Sequence, residues 1–241
     1  VQIGSRFNRN RMPKRKRMST REFAGRKRRR LVRGTFRAPA KRIAPPRTGG
    51  FYGLNQGNHG KELKDIDTDV TAVTINSTGS VTLINGVAQG TDFTTRVGRK
   101  FNMKSILIRF LIYFGSTSIL PSAVRWMIVY DKQANGAAPA VTDILDAATV
   151  TSNNNLSNRD RFLVVFDKIR VLGATAANDN SMFYVKKYKR MAMETTNSGT
   201  GATVGSISTG ALYLVMVGDR TAGTTAARFE SGGVRIRFTD D

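Results

Sequence analysis

The chain has 241 residues, with 39 Lys and Arg against 17 Asp and Glu, and a formal charge of +22. It has no Cys, one His and one Trp. These counts exclude a disulfide scaffold, a thiolate nucleophile, an iron–sulfur cluster, Cys-ligated zinc and a His-rich metal centre. The length allows a substantial core, and the charge predicts an anionic partner, nucleic acid first.

The charge sits at one end. Residues 1–50 hold 18 basic residues and one acid, Glu22, whereas residues 51–241 hold 21 basic and 16 acidic. The arm carries Arg6, Arg9 and Arg11, the run Lys14, Arg15, Lys16 and Arg17, and then Arg21. A second run follows, Arg26, Lys27, Arg28, Arg29 and Arg30, and then Arg33, Arg37, Lys41, Arg42 and Arg47. Like charges at this density repel, and few apolar residues offset the entropy of ordering. Residues 1–50 are therefore expected to be a disordered arm that orders on a polyanion. A solvated surface is the plain reading of four cations; 18 in 50 residues point to nucleic-acid binding. The clusters Lys14–Arg17 and Arg26–Arg30 also have the form of a bipartite nuclear-import signal. No apolar stretch follows the basic start as in a secretory signal, and unbroken basic blocks suit an amphipathic transit peptide poorly. The longest apolar stretch, Ile106 to Phe114, is interrupted by Arg109 and is too short to cross a bilayer as a helix.

Pro39, Pro45, Pro46, Gly49, Gly50, Gly53, Gly57 and Gly60 mark a passage out of the arm, with 51–62 as linker and 63–241 as body. The body reads as strands. Leu63 to Ile75 is the first, and Ser80 to Ile84 the second, with Asn85-Gly86 after it as a hairpin signal. Phe101 to Phe114 is apolar on both faces in its middle, as a strand between two layers would be. Val124 to Tyr130 places Val124, Trp126, Ile128 and Tyr130 on one face and Arg125, Met127 and Val129 on the other. Asp131 then opens a turn, its side chain capping the chain before Gly136. Thr142 to Ala148 is the one helical piece, with Ile144, Leu145 and Ala148 inward.

Arg161 to Leu172, Phe183 to Met191, Ala211 to Val217 and Gly233 to Thr239 complete eight strands. The last has Val234, Ile236 and Phe238 inward and Arg235 and Arg237 outward. Long polar connections, among them Ala134–Pro139, Thr149–Asn158, Ala174–Ser181, Thr195–Gly210 and Thr221–Ala227, separate them. Without alternating helices this predicts an all-β fold, an eight-stranded jelly-roll sandwich.

Few residues carry chemistry. His59, between Asn58 and Gly60, is read as a linker residue. Asp65, Asp67 and Asp69 share one strand face. They can hold a hard cation, be solvated, or pair with basic surface, including that of a neighbouring subunit. Asn178, Asp179 and Asn180 pose the same choice in a loop. Arg159, Asp160 and Arg161 suggest ion pairing at a strand end or a phosphate contact. No phosphate-binding glycine loop is present, and neither an enzyme nor a cofactor is expected.

The strand Phe183 to Met191 carries more information. Lys187 and Lys189 share one face, Lys186 and Arg190 the other, with Tyr184 and Tyr188 interleaved. Burying unpaired cations is costly, so this strand is expected at a sheet edge or facing solvent or a polyanion. Tyr184 and Tyr188 can stack bases while the cations meet phosphates; ordinary aromatic packing with Lys stems laid along it is the other reading.

The order of basic arm, Gly/Pro linker and β body resembles a viral coat protein. Gly98-Arg99-Lys100-Phe101-Asn102-Met103-Lys104-Ser105-Ile106 resembles the start of a major strand in coat proteins of geminiviruses and genomovirus-like relatives. So do Val124 to Asp131 with the loop to Pro139, Thr142-Asp143-Ile144-Leu145, Asn158-Arg159-Asp160-Arg161-Phe162, and the last strand Gly233 to Phe238. The chain lacks the Cys and His residues often found in geminivirus coat proteins, so the resemblance does not choose between single and twinned shells. It implies an icosahedral capsid subunit of a small virus with circular single-stranded DNA. The implied partners are further copies of itself, the viral DNA and host import receptors, with no membrane; the implied locations are the virion and the host nucleus. About 60 copies with +17 arms would bring on the order of 1,000 positive charges, enough to balance much of a genome of a few kilobases. A cellular nucleic-acid-binding β-barrel, ribosomal or chromatin-type, and an RNA-virus coat protein are the alternatives.

Overall fold

A computed structural model describes residues 62–114, 121–173, 182–223 and 225–240. The arm, the linker as far as residue 61 with His59, and the loop cluster Asn178, Asp179 and Asn180 lie outside the described residues.

Among the described residues ten strands form two antiparallel sheets. The first contains β1 (Leu63–Val70), β10 (Ala227–Asp240), β4 (Lys100–Tyr113), β7 (Met182–Asn197) and β8 (Ile207–Thr209) in that order, with β2 (Val73–Ile75) also on β10. The second contains β3 (Ser80–Leu83), β9 (Ala211–Gly218), β5 (Ser122–Asp131) and β6 (Phe162–Leu172). The chain passes repeatedly from sheet to sheet, which makes a jelly-roll-like sandwich.

Period-2 alternation builds the core. Ile106, Ile108, Phe110 and Ile112 of β4 and Val234, Ile236 and Phe238 of β10 face Val124, Trp126 and Ile128 of β5 and Leu212, Leu214 and Met216 of β9. Each such side chain contributes about 1.5–3 kcal/mol on burial. Trp126 stands edge-on to Phe110, ring centroids 5.2 Å apart. The arrangement of the last strand agrees with the expectation from its alternation.

A second, smaller cluster covers the outer face of the second sheet. Met127 and Val129 of β5 and Tyr213, Val215 and Val217 of β9 pack under Val141, Ile144, Leu145 and Val150. Arg125 ties this cover down: it pairs with Asp167 and donates to the carbonyls of Val150 and Ser152. The helical piece is a single turn, α1 (Val141–Ile144), rather than Thr142 to Ala148. Asp143 reaches back to accept from the Ala140 N–H at 2.8 Å, and Leu145 is already extended.

Several expectations from the sequence need correction. Leu63 to Ile75 is two strands, and β8 was not foreseen. β7 continues through Glu194, Thr195, Thr196 and Asn197, where Thr195 and Asn197 are buried despite their polarity. β10 begins at Ala227, six residues before Gly233. At Gly232 a Cβ would lie 2.4 Å from that of Phe110, so the close approach of β10 to β4 requires glycine.

Asn85-Gly86 does not turn a hairpin, since β3 pairs with β9 and the next strand, β4, is in the other sheet. Asn85 instead is a buried hub. Its amide donates to Gly210 O at 2.8 Å and Thr195 Oγ1 at 3.0 Å, and its oxygen accepts from the Leu212 N–H at 2.8 Å. Gly210 has φ +82°, and a Cβ there would meet Glu194 O at 2.2 Å, so the turn into β9 is closed to other residues. β4 is not buried between layers: Leu107, Leu111 and Tyr113 are half-buried on the open outer face of the first sheet. Among the described strands β9 is buried on both faces throughout, and β5 over most of its length.

Candidate nucleic-acid interface

The first sheet's outer face is built by cross-strand register. Asp65 stands opposite Arg237, and Arg237 opposite Ser105, which stands opposite Arg190. The next row is Asp67, Arg235, Leu107 and Tyr188; the next is Asp69, Gly233, Arg109 and Lys186. Leu111 and Tyr184 follow. Acids occupy one edge and cations with tyrosines the other.

Two of the three acids at the first edge are paired within the sheet. Asp67 takes Arg235 in a bidentate pair at 2.6 and 2.7 Å, and Asp65 lies 3.2 Å from Arg237. The Arg235 guanidinium accordingly holds the Asp67 carboxyl below its ordinary value. Of the readings for Asp65, Asp67 and Asp69, ion pairing is the one seen for the first two, within the chain rather than to a neighbour. Among the described residues no cluster of three His, Cys, Asp or Glu is placed to hold a metal ion.

The opposite edge is β7. From Met182 to Met193 it pairs only with β4, because β8 meets it only at Thr196 and Asn197. The charged strand is thus an edge over that length, as the desolvation cost of its lysines predicts. Tyr184, Lys186, Tyr188 and Arg190 project outward, with Tyr184 60% and Tyr188 57% exposed. The two rings are about 13 Å apart along the strand, with Lys186 between them. Among the described residues no carboxylate pairs with Lys186, Arg190 or Arg109. Arg109 is an addition to the site; the sequence showed it only as a break in an apolar run.

Lys187 and Lys189 point to the other side, toward the gap between the sheets. Lys189 donates to Val165 O at 3.0 Å and lies 5.4 Å from the Phe166 ring centroid. That is the stem-packing reading for Lys189. Arg159 and Asp160 make only a long, exposed contact of 3.8 Å, whereas Arg161 grips Asp131 with two bonds of 2.8 and 2.9 Å. Asp131 also accepts from the Gln133 N–H, the capping role expected of it.

The electrostatics separate two phenols. Hydrogen bonding to Ser105 and Arg190, then the positive field of Arg190 and Arg237, hold Tyr188 below the ordinary phenol value. Burial, then the Asp131 carboxylate, push Tyr213 up to about 12. A pH titration followed at 295 nm should therefore show Tyr188 ionising before Tyr213. Because Tyr213 has the higher value when folded, its contribution to stability is complete below about pH 10 and is lost as pH rises through about 12. Tyr213→Phe should flatten the fall in stability over that window. An unchanged slope would remove Tyr213 as its cause.

The family described as geminivirus coat protein/nuclear export factor BR1 matches residues 4–241. The coat protein of Maize white line mosaic satellite virus is 26% identical over 169 residues, covering 69% of this chain and 75% of that protein. A chain from the solved structure of Desmodium yellow mottle tymovirus aligns over 75% of this chain and 89% of its own, with 10% identity and a TM-score of 0.29.

Proposed function

The chain belongs to the geminivirus coat protein/nuclear export factor BR1 family, and from this we propose that it builds a closed viral shell and encloses single-stranded nucleic acid. It is a viral coat protein, with a structural rather than a catalytic role. One observation carries the packaging reading: 18 basic residues stand in the first 50 against a body that is only slightly basic. The arm, residues 1–50, neutralises phosphates and releases counterions, while residues 63–241 form the shell. The face with Tyr184, Lys186, Tyr188 and Arg190 adds stacking and phosphate contacts that tolerate any base order. The clusters Lys14–Arg17 and Arg26–Arg30 deliver the chain to the host nucleus through import receptors.

Two genome chemistries fit such contacts. Family membership supports single-stranded DNA. The RNA-virus coat protein reading is favoured by the matched relative, the coat protein of a satellite virus rather than of a geminivirus. Purified particles treated with external nuclease, then opened and digested separately with DNase and RNase, distinguish them. Protected material of either kind supports packaging and names the genome. Purified protein protecting neither would overturn the reading.

A further inference from the structure

We propose that the opening between β6 and β7 is a binding cleft for one nucleotide unit of single-stranded nucleic acid. The proposal rests on the packaging reading above and adds to it a site in the folded body.

Among the described residues β6 pairs only with β5, and β7 over most of its length only with β4, so each is an edge there. Between the two edges lies a cleft of about 540 Å³, within the range of small-ligand sites. Its floor is apolar, made by Trp126, Leu172, Phe183 and Val185. Its walls are cationic. Lys168 and Arg170 stand opposite Trp126 and Val124 in register, and so share the inter-sheet face with those core residues. Lys187 stands opposite Ile108 and shares that face from the other sheet. The lining contains no carboxylate among the described residues. Asp167, next to Lys168, is turned away and held by Arg125.

Inward-pointing charges on edge strands can serve only to keep edges from pairing with other chains. That role needs no concavity and no apolar floor. Here cations from two sheets converge over an apolar floor in which Phe183 is half-buried, which offers phosphate contacts at the rim and one ring for a base beneath. Facing sheets are about 10 Å apart, which brings both walls within reach of a single nucleotide.

Trp126 is the chain's sole Trp and lies almost fully buried directly beneath the cleft, so its fluorescence reports the cleft and not the arm. The experiment titrates the full-length protein with ten-residue oligothymidylate and oligouridylate, reading Trp126 emission and, in parallel, the anisotropy of end-labelled oligonucleotide. The expected result is a saturable change in emission. In Lys168→Ser with Lys187→Ser, the half-maximal point of that change moves at least about tenfold, while binding by anisotropy moves less than about twofold because the arm dominates it. Arg170→Gln, with a melting curve to establish folding, should shift emission in the same direction.

Oligonucleotide binding without any change in Trp126 emission would overturn the cleft and leave packaging intact. No binding by either readout would overturn packaging itself. An equal emission change with hexaglutamate would assign the cleft to acidic peptides and overturn the nucleotide reading.

Discussion

Removing residues 1–50 should lower affinity for single-stranded nucleic acid by several orders of magnitude at about 0.15 M salt, with the β sandwich still folded. The arm holds 18 of the chain's 39 Lys and Arg. If about ten of them meet phosphates, log affinity falls with log salt at a slope of about −7, since each contact on a single strand contributes about −0.7. The remaining body, with about four contacts along β7 and β4, should show a slope near −3. Titrations at several salt concentrations measure both slopes. Folding should persist because the described core is made of residues from Val70 onward. Binding that survives truncation unchanged would move the grip from the arm to the outer row Tyr184, Lys186, Tyr188 and Arg190.

A large loss of stability is expected from substitution at Asp131. Its side chain is fully buried, takes both bonds from Arg161 and accepts from the Gln133 N–H. The same contact raises the value of the Arg161 guanidinium, which lies 4.7 Å over the Phe162 ring. Asp131→Ala strands a largely buried cation and a backbone donor, and should cost about 3–5 kcal/mol. Against a total of about 5–15 kcal/mol this is a large share, and it should lower the melting temperature by on the order of 10 °C. The Asp67–Arg235 pair has equally good geometry but is half exposed, so Asp67→Ala should change melting little. Thermal melts of the two variants side by side test the contrast. Equal effects would mean that burial is not what gives the Asp131 pair its weight.

Much of the sandwich was legible because its strands obey a local rule. Val234, Ile236 and Phe238 are buried and alternate with exposed Arg235 and Arg237, whereas Val124, Trp126 and Ile128 alternate with Arg125, Met127 and Val129 in face only, since both faces of β5 are covered. The rule fails where burial is non-local. Thr195 to Asn197 reads as part of a polar connection yet is strand, because Thr195 meets Asn85 and Gly210 from distant parts of the chain. Asn85-Gly86 has turn chemistry, but Asn85 fills its hydrogen bonds inside the core. Leu107 and Leu111 are apolar enough for an interior, and only the sheet order shows that nothing described lies above them.

The candidate site divides in the same way. Lys186, Lys187, Lys189 and Arg190 announce an edge strand, since their density forbids a central position. Lys168 and Arg170 were silent: a period-2 pattern gives the face but not the facing strand. Their convergence with Lys187 exists only because the open edges of β6 and β7 lie beside one cleft. The pairing of Asp65 and Asp67 with β10 likewise needed the register, which joins residues about 170 positions apart.

If a cationic arm and a tiling β body act together, closure of the shell depends on a polyanion. Subunits of +22 repel one another unless their charge is met. Sedimentation and negative-stain imaging of full-length protein stripped of nucleic acid, at low salt, with and without added single-stranded nucleic acid, test this most directly. The prediction is uniform closed particles with nucleic acid and dispersed subunits without it. Stable empty particles at low salt, or subunits that stay apart when nucleic acid is supplied, would contradict it.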